Sequence, residues 1–205
     1  MPEHTTSSLD PEETFEVEPP DDEQPDEPEL EPEVAARRDA ALAQVRKFGD
    51  PVLRTRARPV SQFDEALRSE VERMQELMGD ALGVGLAATQ VGVLNRVLVY
   101  RVQQQAPVAA LINPEIEWAG KDAETIEEGC LSLPGVLVEV DRPIHVRVRA
   151  LDEHGDPVLI EASGLEGRVI QHEIDHLDGV LILDRTTREQ RKHALRALRE
   201  AEQAA

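Results

Sequence analysis

A clear apolar pattern runs from Asp64 to Leu82 and has the spacing of a helix. Five apolar side chains recur there every three or four residues, so they share one helix face. They are Leu67, Val71, Met74, Leu77 and Met78. We interpret the two methionines as core packing, which is their usual role. Two more helices are predicted, one that begins near Leu165 and one from about Thr187 to Ala201.

Strands are predicted for Arg96 to Val102, Val136 to Val140, Ile144 to Leu151 and Val158 to Glu161. In the third of these, valine and arginine alternate with the period of a strand that buries one face. The small residues of Gly83 to Ala88 end the preceding helix and allow a ligand or a neighbouring strand to approach the backbone closely. The pattern predicts an α+β domain, with mostly antiparallel strands around a central helix and with a C-terminal helix.

Composition divides the chain of 205 residues into two parts. Residues 1–33 carry 14 acidic side chains, no lysine or arginine, and 7 of the 14 prolines. Such a segment cannot bury enough apolar surface to offset the entropy of ordering, so residues 1–36 are predicted to be a disordered acidic tail and residues 37–205 the folded domain. A solubilising extension is the favoured interpretation of the tail, and a docking or regulatory segment is the alternative.

The charge and cysteine content place few limits on the folded part. Residues 34–205 carry 28 acidic and 22 basic side chains, so the whole-chain charge of −20 says little about the partners of this domain. No apolar run is long enough to span a bilayer, and the N-terminus does not have the features of a secretion signal. Cys130 is the single cysteine, which excludes an internal disulfide and fits a reducing compartment. We therefore expect a cytoplasmic protein that does not bind membranes.

The most informative motif is the sequence Gln-His-Glu-Ile-Asp-His at residues 171–176. His172 and His176 are four residues apart and share one face of the predicted helix, so both can bind one metal ion, with Glu173 beside them to move a proton. The pattern alone is only moderately specific, since an ordinary polar helix face produces it by chance. Asp175 lies off the ligand face, and we expect it to hold the helix in place through Arg142.

A third metal ligand is available in the segment Glu-Glu-Gly-Cys-Leu-Ser-Leu-Pro-Gly at residues 127–135. A lone cysteine is usually a small buried hydrophobic residue. Together with His172 and His176, however, Cys130 would form a site of one thiolate and two imidazoles. Such a site leaves a fourth tetrahedral position open, as catalytic metal sites require.

Three segments in order resemble the motifs of the peptide deformylase family. They are Gly-Val-Gly-Leu-Ala-Ala-Thr-Gln at residues 83–90, Glu-Gly-Cys-Leu-Ser at 128–132, and Gln-His-Glu-Ile-Asp-His-Leu at 171–177. The resemblance covers about residues 43–187, and three spaced motifs are far more specific than any one of them. It implies an α+β hydrolase that removes the formyl group from the N-terminal formyl-methionine of nascent polypeptides and releases formate.

The resemblance also assigns roles to individual residues. It implies that Cys130, His172 and His176 bind one divalent metal ion per chain, which would be Fe(II) in cells, with zinc, nickel or cobalt able to substitute. Glu173 would be the general acid and base, and Gln90 and Leu131 would stabilise the oxyanion. The substrate peptide would lie extended beside the backbone of Val84, Gly85 and Gly129. Val169 and His172 would line its methionine pocket.

Several alternatives stay open at the level of sequence. An inactive homologue that binds nascent peptides or ribosomes, a zinc peptidase, and a structural metal site each account for part of the pattern. The basic C-terminal helix is most simply a solvated helix packed through Leu195 and Leu198, and a contact with ribosomal RNA near the peptide exit is the alternative. We expect the histidines outside the motif to be surface or structural residues. They are His4, His145, His154 and His193.

Overall fold

A computed structural model describes residues 30–204, and five α-helices lie in that part of the chain. The two long helices predicted at either end of the domain are present, and α3 is the predicted helix that carries the histidines. The helices are α1 (Pro32–Leu42), α2 (Glu65–Asp80), α3 (Gly164–Leu177), α4 (Ile182–Arg185) and α5 (Arg188–Ala204). Short 3-10 turns cover Pro51–Arg54 and Ala88–Val91.

Seven strands form two antiparallel sheets in the described residues. They are β1 (Gly85–Ala87), β2 (Val97–Tyr100), β3 (Ala109–Ala119), β4 (Ala123–Cys130), β5 (Leu133–Pro143), β6 (His145–Leu151) and β7 (Pro157–Ser163). One sheet has five strands in the order β1-β2-β3-β6-β7, and β4 and β5 form a separate hairpin. The predicted α+β class with antiparallel strands is confirmed.

Helix α2 agrees closely with its sequence pattern. Its N-cap is Asp64, whose carboxylate accepts a hydrogen bond from the Leu67 N–H at 3.1 Å. All five apolar side chains of the predicted face are buried, and they pack with α1 and with strands β1 and β2. The methionines are therefore core residues, as predicted.

Helix α3 lies at the centre of the domain. It contacts strands β1, β2 and β7, and its apolar side chains, including Ile170, Ile174 and Leu177, are packed in a cluster with Leu98 and Val148 of the five-stranded sheet. Burial of this face fixes the helix on the sheet and so fixes the direction in which the histidines point. The metal motif is thus carried by a rigid element.

Strands β1, β3 and β4 were not predicted from the sequence pattern. In β3, Asn113 has a φ of 54° and precedes a proline, and these are turn signals inside a strand. The side-chain amide of Asn113 exchanges two hydrogen bonds with the backbone of Val60, at 2.8 and 2.9 Å, so a tertiary contact stabilises the irregularity. Strand β4 is acidic and largely exposed, so it has no apolar alternation to reveal it.

The end of the predicted acidic tail, at residue 36, overlaps the first helix of the described residues. Helix α1 begins at Pro32, because a proline is well suited to the first helical turn and an alanine-rich stretch follows it. Residues 1–29, and with them most of the predicted tail and His4, lie outside the described residues. Of the helices within residues 30–204, none has the length and apolar content that a bilayer crossing demands.

Candidate metal centre

Helix α3 and the end of strand β4 bring the three predicted metal ligands together. His172 and His176 lie one turn apart on α3, and Cys130 is the last residue of β4. One ligand atom of each lies within 4.8 Å of the other two. Cys130 Sγ is 3.1 Å from His176 Nε2. The predicted cluster is therefore confirmed.

The chemistry of these side chains fits a divalent metal ion. Burial raises the pKa of Cys130, but the charge of His176 and the hydrogen bonds from both imidazoles outweigh it, so the thiol pKa lies well below its usual range. His172 Nδ1 is 3.0 Å from Glu128 Oε2, which leaves Nε2 as the ring nitrogen that can bind a metal ion. Three ligands of this kind leave an open coordination position, as catalytic sites do.

Glu173 is a buried carboxyl group with one oxygen in need of a partner. Burial raises the pKa of Glu173, which brings it closer to the range in which a carboxyl group exchanges protons at neutral pH. Among the buried side-chain atoms of the described residues, three have no hydrogen-bond partner, namely Glu70 Oε1, Glu173 Oε2 and His176 Nδ1. Unpartnered buried polar atoms are rare, and the presence of Glu173 Oε2 beside the metal ligands indicates that a bound group completes the site.

Gln90 is held in one orientation beside the metal ligands. Its Oε1 accepts a hydrogen bond from the Ala87 N–H at 2.8 Å. The Nε2 group therefore points the other way, to 3.8 Å from Cys130 Sγ and 3.4 Å from Ser132 Oγ. Leu131 follows Cys130 directly in the turn between β4 and β5. Both predicted oxyanion residues thus lie next to the thiolate.

Strand β1 offers a free backbone edge at the site. It is the first strand of its sheet, and the Val84 carbonyl accepts a hydrogen bond from the Arg101 N–H of the β2 side at 2.8 Å. Bonding directions alternate along an antiparallel strand, so Gly85, the next residue, directs its N–H and C=O outward. A chain that lies extended along β1 would meet these groups.

Of the remaining predicted substrate residues, Val169 packs against Gly85 and Val84 precedes it in the chain, while Gly129 lies near the end of β4. A Cβ atom on Gly85 would overlap the Glu173 carboxylate and would lie 2.9 Å from Val169 Cγ1, so both side chains pack directly against the glycine. Val84 is 47% exposed, and Gly129 is exposed. A Cβ atom on Gly129 would lie 3.2 Å from the exposed side chain of Leu137. Glycine at position 85 therefore leaves room for the Glu173 carboxylate beside β1.

A network of buried charges supports α3 on the side away from Gly85. The Arg142 guanidinium donates to Glu128 at 2.6 and 3.0 Å and to Asp175 at 2.8 Å. Arg168 and Arg185 add further hydrogen bonds, to Glu128 at 2.8 Å and to Asp175 at 2.5 and 3.1 Å. The predicted contact between Asp175 and Arg142 is therefore confirmed.

Comparisons with known proteins agree on one family. The family model for polypeptide deformylase matches residues 42–192. The peptide deformylase of Acidothermus cellulolyticus is 49% identical over 164 residues, which is 80% of this chain and 89% of that protein. The peptide deformylase of Thermotoga neapolitana is 53% identical over 144 residues, or 70% of this chain and 87% of that protein.

The chain belongs to the polypeptide deformylase family. A crystal structure of a Synechococcus elongatus peptide deformylase in complex with actinonin superposes with a TM-score of 0.72 at 44% identity, covering 75% of this chain and 85% of that one. The deformylase from Thermotoga maritima gives a TM-score of 0.68 at 48% identity, with coverages of 70% and 96%. The enzyme is thus a metal-dependent hydrolase that removes N-formyl groups from nascent polypeptides.

Sequence reasoning assigned no role to Glu128, which this deformylase uses to orient a metal ligand. No strand was predicted there, and the pairing of β4 with β5 is irregular between Glu128 and Cys130, so the spacing of these two residues gave no signal. The roles of Arg168 and Arg185 had no signal either. Their contacts join residues 40 and 10 positions apart, and only the packing of α3 brings them together. His145, His154 and His193 are exposed, in agreement with their predicted surface role.

Proposed function

We propose that the enzyme hydrolyses formyl-methionine through Glu173, Gln90 and Leu131, with Fe(II) held by Cys130, His172 and His176. A divalent metal ion in such a site supplies an acidified water molecule and an electrophilic centre. The observation that carries the proposal is the position of the Glu173 carboxylate, which is buried beside both histidines with one oxygen that has no partner among the described residues.

Glu173 acts as the general base and then as the general acid. It accepts a proton from the water molecule that attacks the formyl carbon, and it returns that proton to the amine that departs. The raised pKa of Glu173, which burial causes, suits both steps, because a carboxyl group near its pKa both takes and gives a proton readily.

Gln90 and Leu131 stabilise the negative charge that develops on the formyl oxygen. The Ala87 N–H fixes the amide of Gln90, so its Nε2 is a preorganised donor, and the Leu131 N–H is the second donor. Groups that are already oriented cost no reorganisation in the transition state. The loss of one such donor typically lowers the rate about a hundredfold to a thousandfold.

The substrate binds as an added strand along β1. Gly85 would bond the peptide backbone, Val84 and Gly129 would flank it, and Val169 would line the methionine pocket. Small residues restrict the size of the acyl group. A Cβ atom on Gly83 would lie 3.1 Å from the Leu131 side chain, and Gly85 packs against Glu173. A formyl group carries only a hydrogen on its carbon, so this space admits it and excludes acetyl.

Iron is the proposed metal because it is the ion that the family resemblance implies, although ligand affinity alone would favour zinc. With iron, exposure to air inactivates the enzyme through oxidation of the metal or of the Cys130 thiolate. Zinc, nickel or cobalt would occupy the same three ligands. Inactivation in air that zinc substitution prevents would support iron, and equal air stability of both forms would count against it.

Helix α5 is the proposed contact with the ribosome in the cytoplasm. Its exposed basic side chains are Arg188, Arg191, Lys192, Arg196 and Arg199, while Ala194 and Leu198 are buried against β5 and α4. A basic exposed face suits ribosomal RNA. Deletion of residues 188–205 should weaken co-sedimentation with ribosomes in a salt-dependent manner. Unchanged co-sedimentation would remove ribosomal RNA as a partner of this helix.

The first test of the proposed function is formate release from a formyl-Met tripeptide by enzyme loaded with Fe(II) without oxygen. Glu173→Ala and an acetyl-Met tripeptide are run in parallel. Release that requires Glu173 and does not occur with acetyl is the expected result. No release from wild-type enzyme that holds one metal ion per chain would overturn the proposal.

A further inference from the structure

The linker of residues 46–48 joins the two proposed oxyanion residues. The Arg46 N–H donates to the Gln90 carbonyl at 2.7 Å, and the Phe48 N–H donates to the Ser132 carbonyl at 2.9 Å. Between them, Lys47 Nζ donates to the Leu131 carbonyl at 3.0 Å. One short segment therefore bonds to both sides of the proposed oxyanion site.

Gln90 and Leu131 need such a connection because they lie on different elements. Gln90 belongs to the 3-10 turn after β1, and Leu131 belongs to the turn of the separate β4-β5 hairpin. The direct hydrogen bonds from the Gln90 side chain to the hairpin are long, at 3.4 Å to Ser132 Oγ and 3.8 Å to Cys130 Sγ. The three bonds of the linker are all shorter, so the linker fixes the distance between the two donors better than their own contacts do.

Packing anchors the linker at both ends. Val45, which precedes it, is buried in the cluster that contains Leu86 and Ala88 around β1. Phe48 packs against the cluster of Leu133 and Val136 in the hairpin. Each end of the linker is thus attached to one of the two elements that carry an oxyanion donor. The linker therefore couples the position of one element to the position of the other.

We propose that Lys47 is a positioning residue for the oxyanion site, which it serves by holding the Leu131 backbone in register with Gln90. The proposal rests on the proposed function, since it presumes that Leu131 and Gln90 stabilise the oxyanion. Lys47 is the one linker residue whose bond to the site comes from its side chain. Substitution of Lys47 therefore removes that bond and leaves the Arg46 and Phe48 backbone bonds in place.

The test compares wild-type enzyme with Lys47→Met, Lys47→Arg and the matched control Lys121→Met. Methionine keeps the length of the side chain and removes the donor, and Lys121 is exposed in the turn between β3 and β4. A misplacement of a catalytic group by a fraction of an ångström is costly. We expect Lys47→Met to lower kcat about tenfold with KM changed less than twofold, and Lys47→Arg to regain most of the activity. Lys121→Met should match wild type.

Two further measurements separate positioning from loss of structure. The Co(II)-substituted Lys47→Met protein should keep the absorption spectrum of the Cys-His-His site, and its unfolding temperature should match that of Lys121→Met. The proposal would be overturned if Lys47→Met had the same kcat as the control, or if its KM rose while its kcat stayed unchanged. A failure of Lys47→Arg to regain activity would also overturn it. If wild-type enzyme itself releases no formate, the proposed function fails instead, so the two failures are distinguishable.

Discussion

The two sides of helix α3 differ in whether their buried carboxylates have hydrogen-bond partners. On the side of β1, which we call the reaction side, Glu173 packs against Gly85, and its buried Oε2 atom has no partner among the described residues. On the opposite side, which we call the support side, the carboxylates of Glu128 and Asp175 are each bonded to two arginines. His172 connects the sides through its bond to Glu128.

Carboxylates on the reaction side exchange protons, and carboxylates on the support side hold helix α3 and its metal ligands in place. A carboxylate that must exchange a proton cannot be fully satisfied by fixed donors, because donors to the ionised form lower its pKa and its basicity. Burial raises the pKa of Glu173. Burial also acts on Glu128, but the hydrogen bonds from His172 and Arg142 outweigh it and lower the pKa of Glu128 to about 2. Residues of the same type therefore have different chemistry within one site.

The largest expected effect is on the reaction side. Glu173→Gln keeps the shape of the side chain and removes its basicity, so formate release should fall about a thousandfold or more. The unfolding temperature should stay equal or rise, because a buried ionised carboxylate with a raised pKa destabilises the fold and glutamine has no charge. Steady-state kinetics and thermal unfolding of the same preparation test this. A marked loss of stability would break the distinction between the sides.

The support side should show the reverse pattern. Arg142→Met leaves the carboxylates of Glu128 and Asp175 with fewer donors, and the loss of one partner of a buried ion pair costs about 3–5 kcal/mol. Metal affinity should fall about tenfold to a hundredfold, because His172 loses the support of an ordered Glu128. Denaturant unfolding and metal competition measure both effects.

The control for Arg142 is an arginine of an exposed ion pair. Arg149 is 2.7 Å from Glu115, and both side chains are more than 60% exposed. Arg149→Ala should therefore change the free energy of unfolding by less than about 1 kcal/mol. If Arg142→Met and Arg149→Ala lost the same free energy of unfolding, the buried network would stabilise the fold no more than an exposed ion pair does.

Acid should lower the free energy of unfolding through the protonation of Glu128 on the support side. The pKa of Glu128 is about 2 in the folded protein against an ordinary 4.5, so the carboxylate stabilises the fold above pH 4.5. This contribution of about 3 kcal/mol is lost as the pH falls from about 4.5 towards 2. The free energy of unfolding of wild type should therefore approach that of Glu128→Gln over this range. Parallel curves for the two proteins would contradict the assignment.

A smaller effect is expected from a glycine on the reaction side. Gly85→Ala places a methyl group against the Glu173 carboxylate and Val169, so activity should fall about a hundredfold as the carboxylate moves. Gly79→Ala is the matched control, since a Cβ atom there meets nothing within 4 Å. It should keep full activity and gain up to about 1 kcal/mol of stability, because alanine favours the helix α2. Similar activity in the two variants would place Glu173 away from Gly85.

The sequence pattern predicted the elements whose signals are local. The apolar spacing of α2, the alternation in β6, and the order of the three motifs were enough for the fold class and the three metal ligands. The four-residue spacing of the histidines already places them on one helix face. Even the partner of Asp175 was predictable, and its contact with Arg142 is present at 2.8 Å.

By itself, the sequence determined the type of chemistry, because that depends on residue types and short spacings along one helix. Only the tertiary structure showed that Glu128 supports a metal ligand and why its pKa differs from that of Glu173, because burial and partners set both pKa values and the partners come from distant segments. The same holds for strand β4, which has no apolar alternation, and for Lys47, which meets Leu131 across 84 positions of chain. Such contacts depend on how packed elements meet, and no local pattern records them.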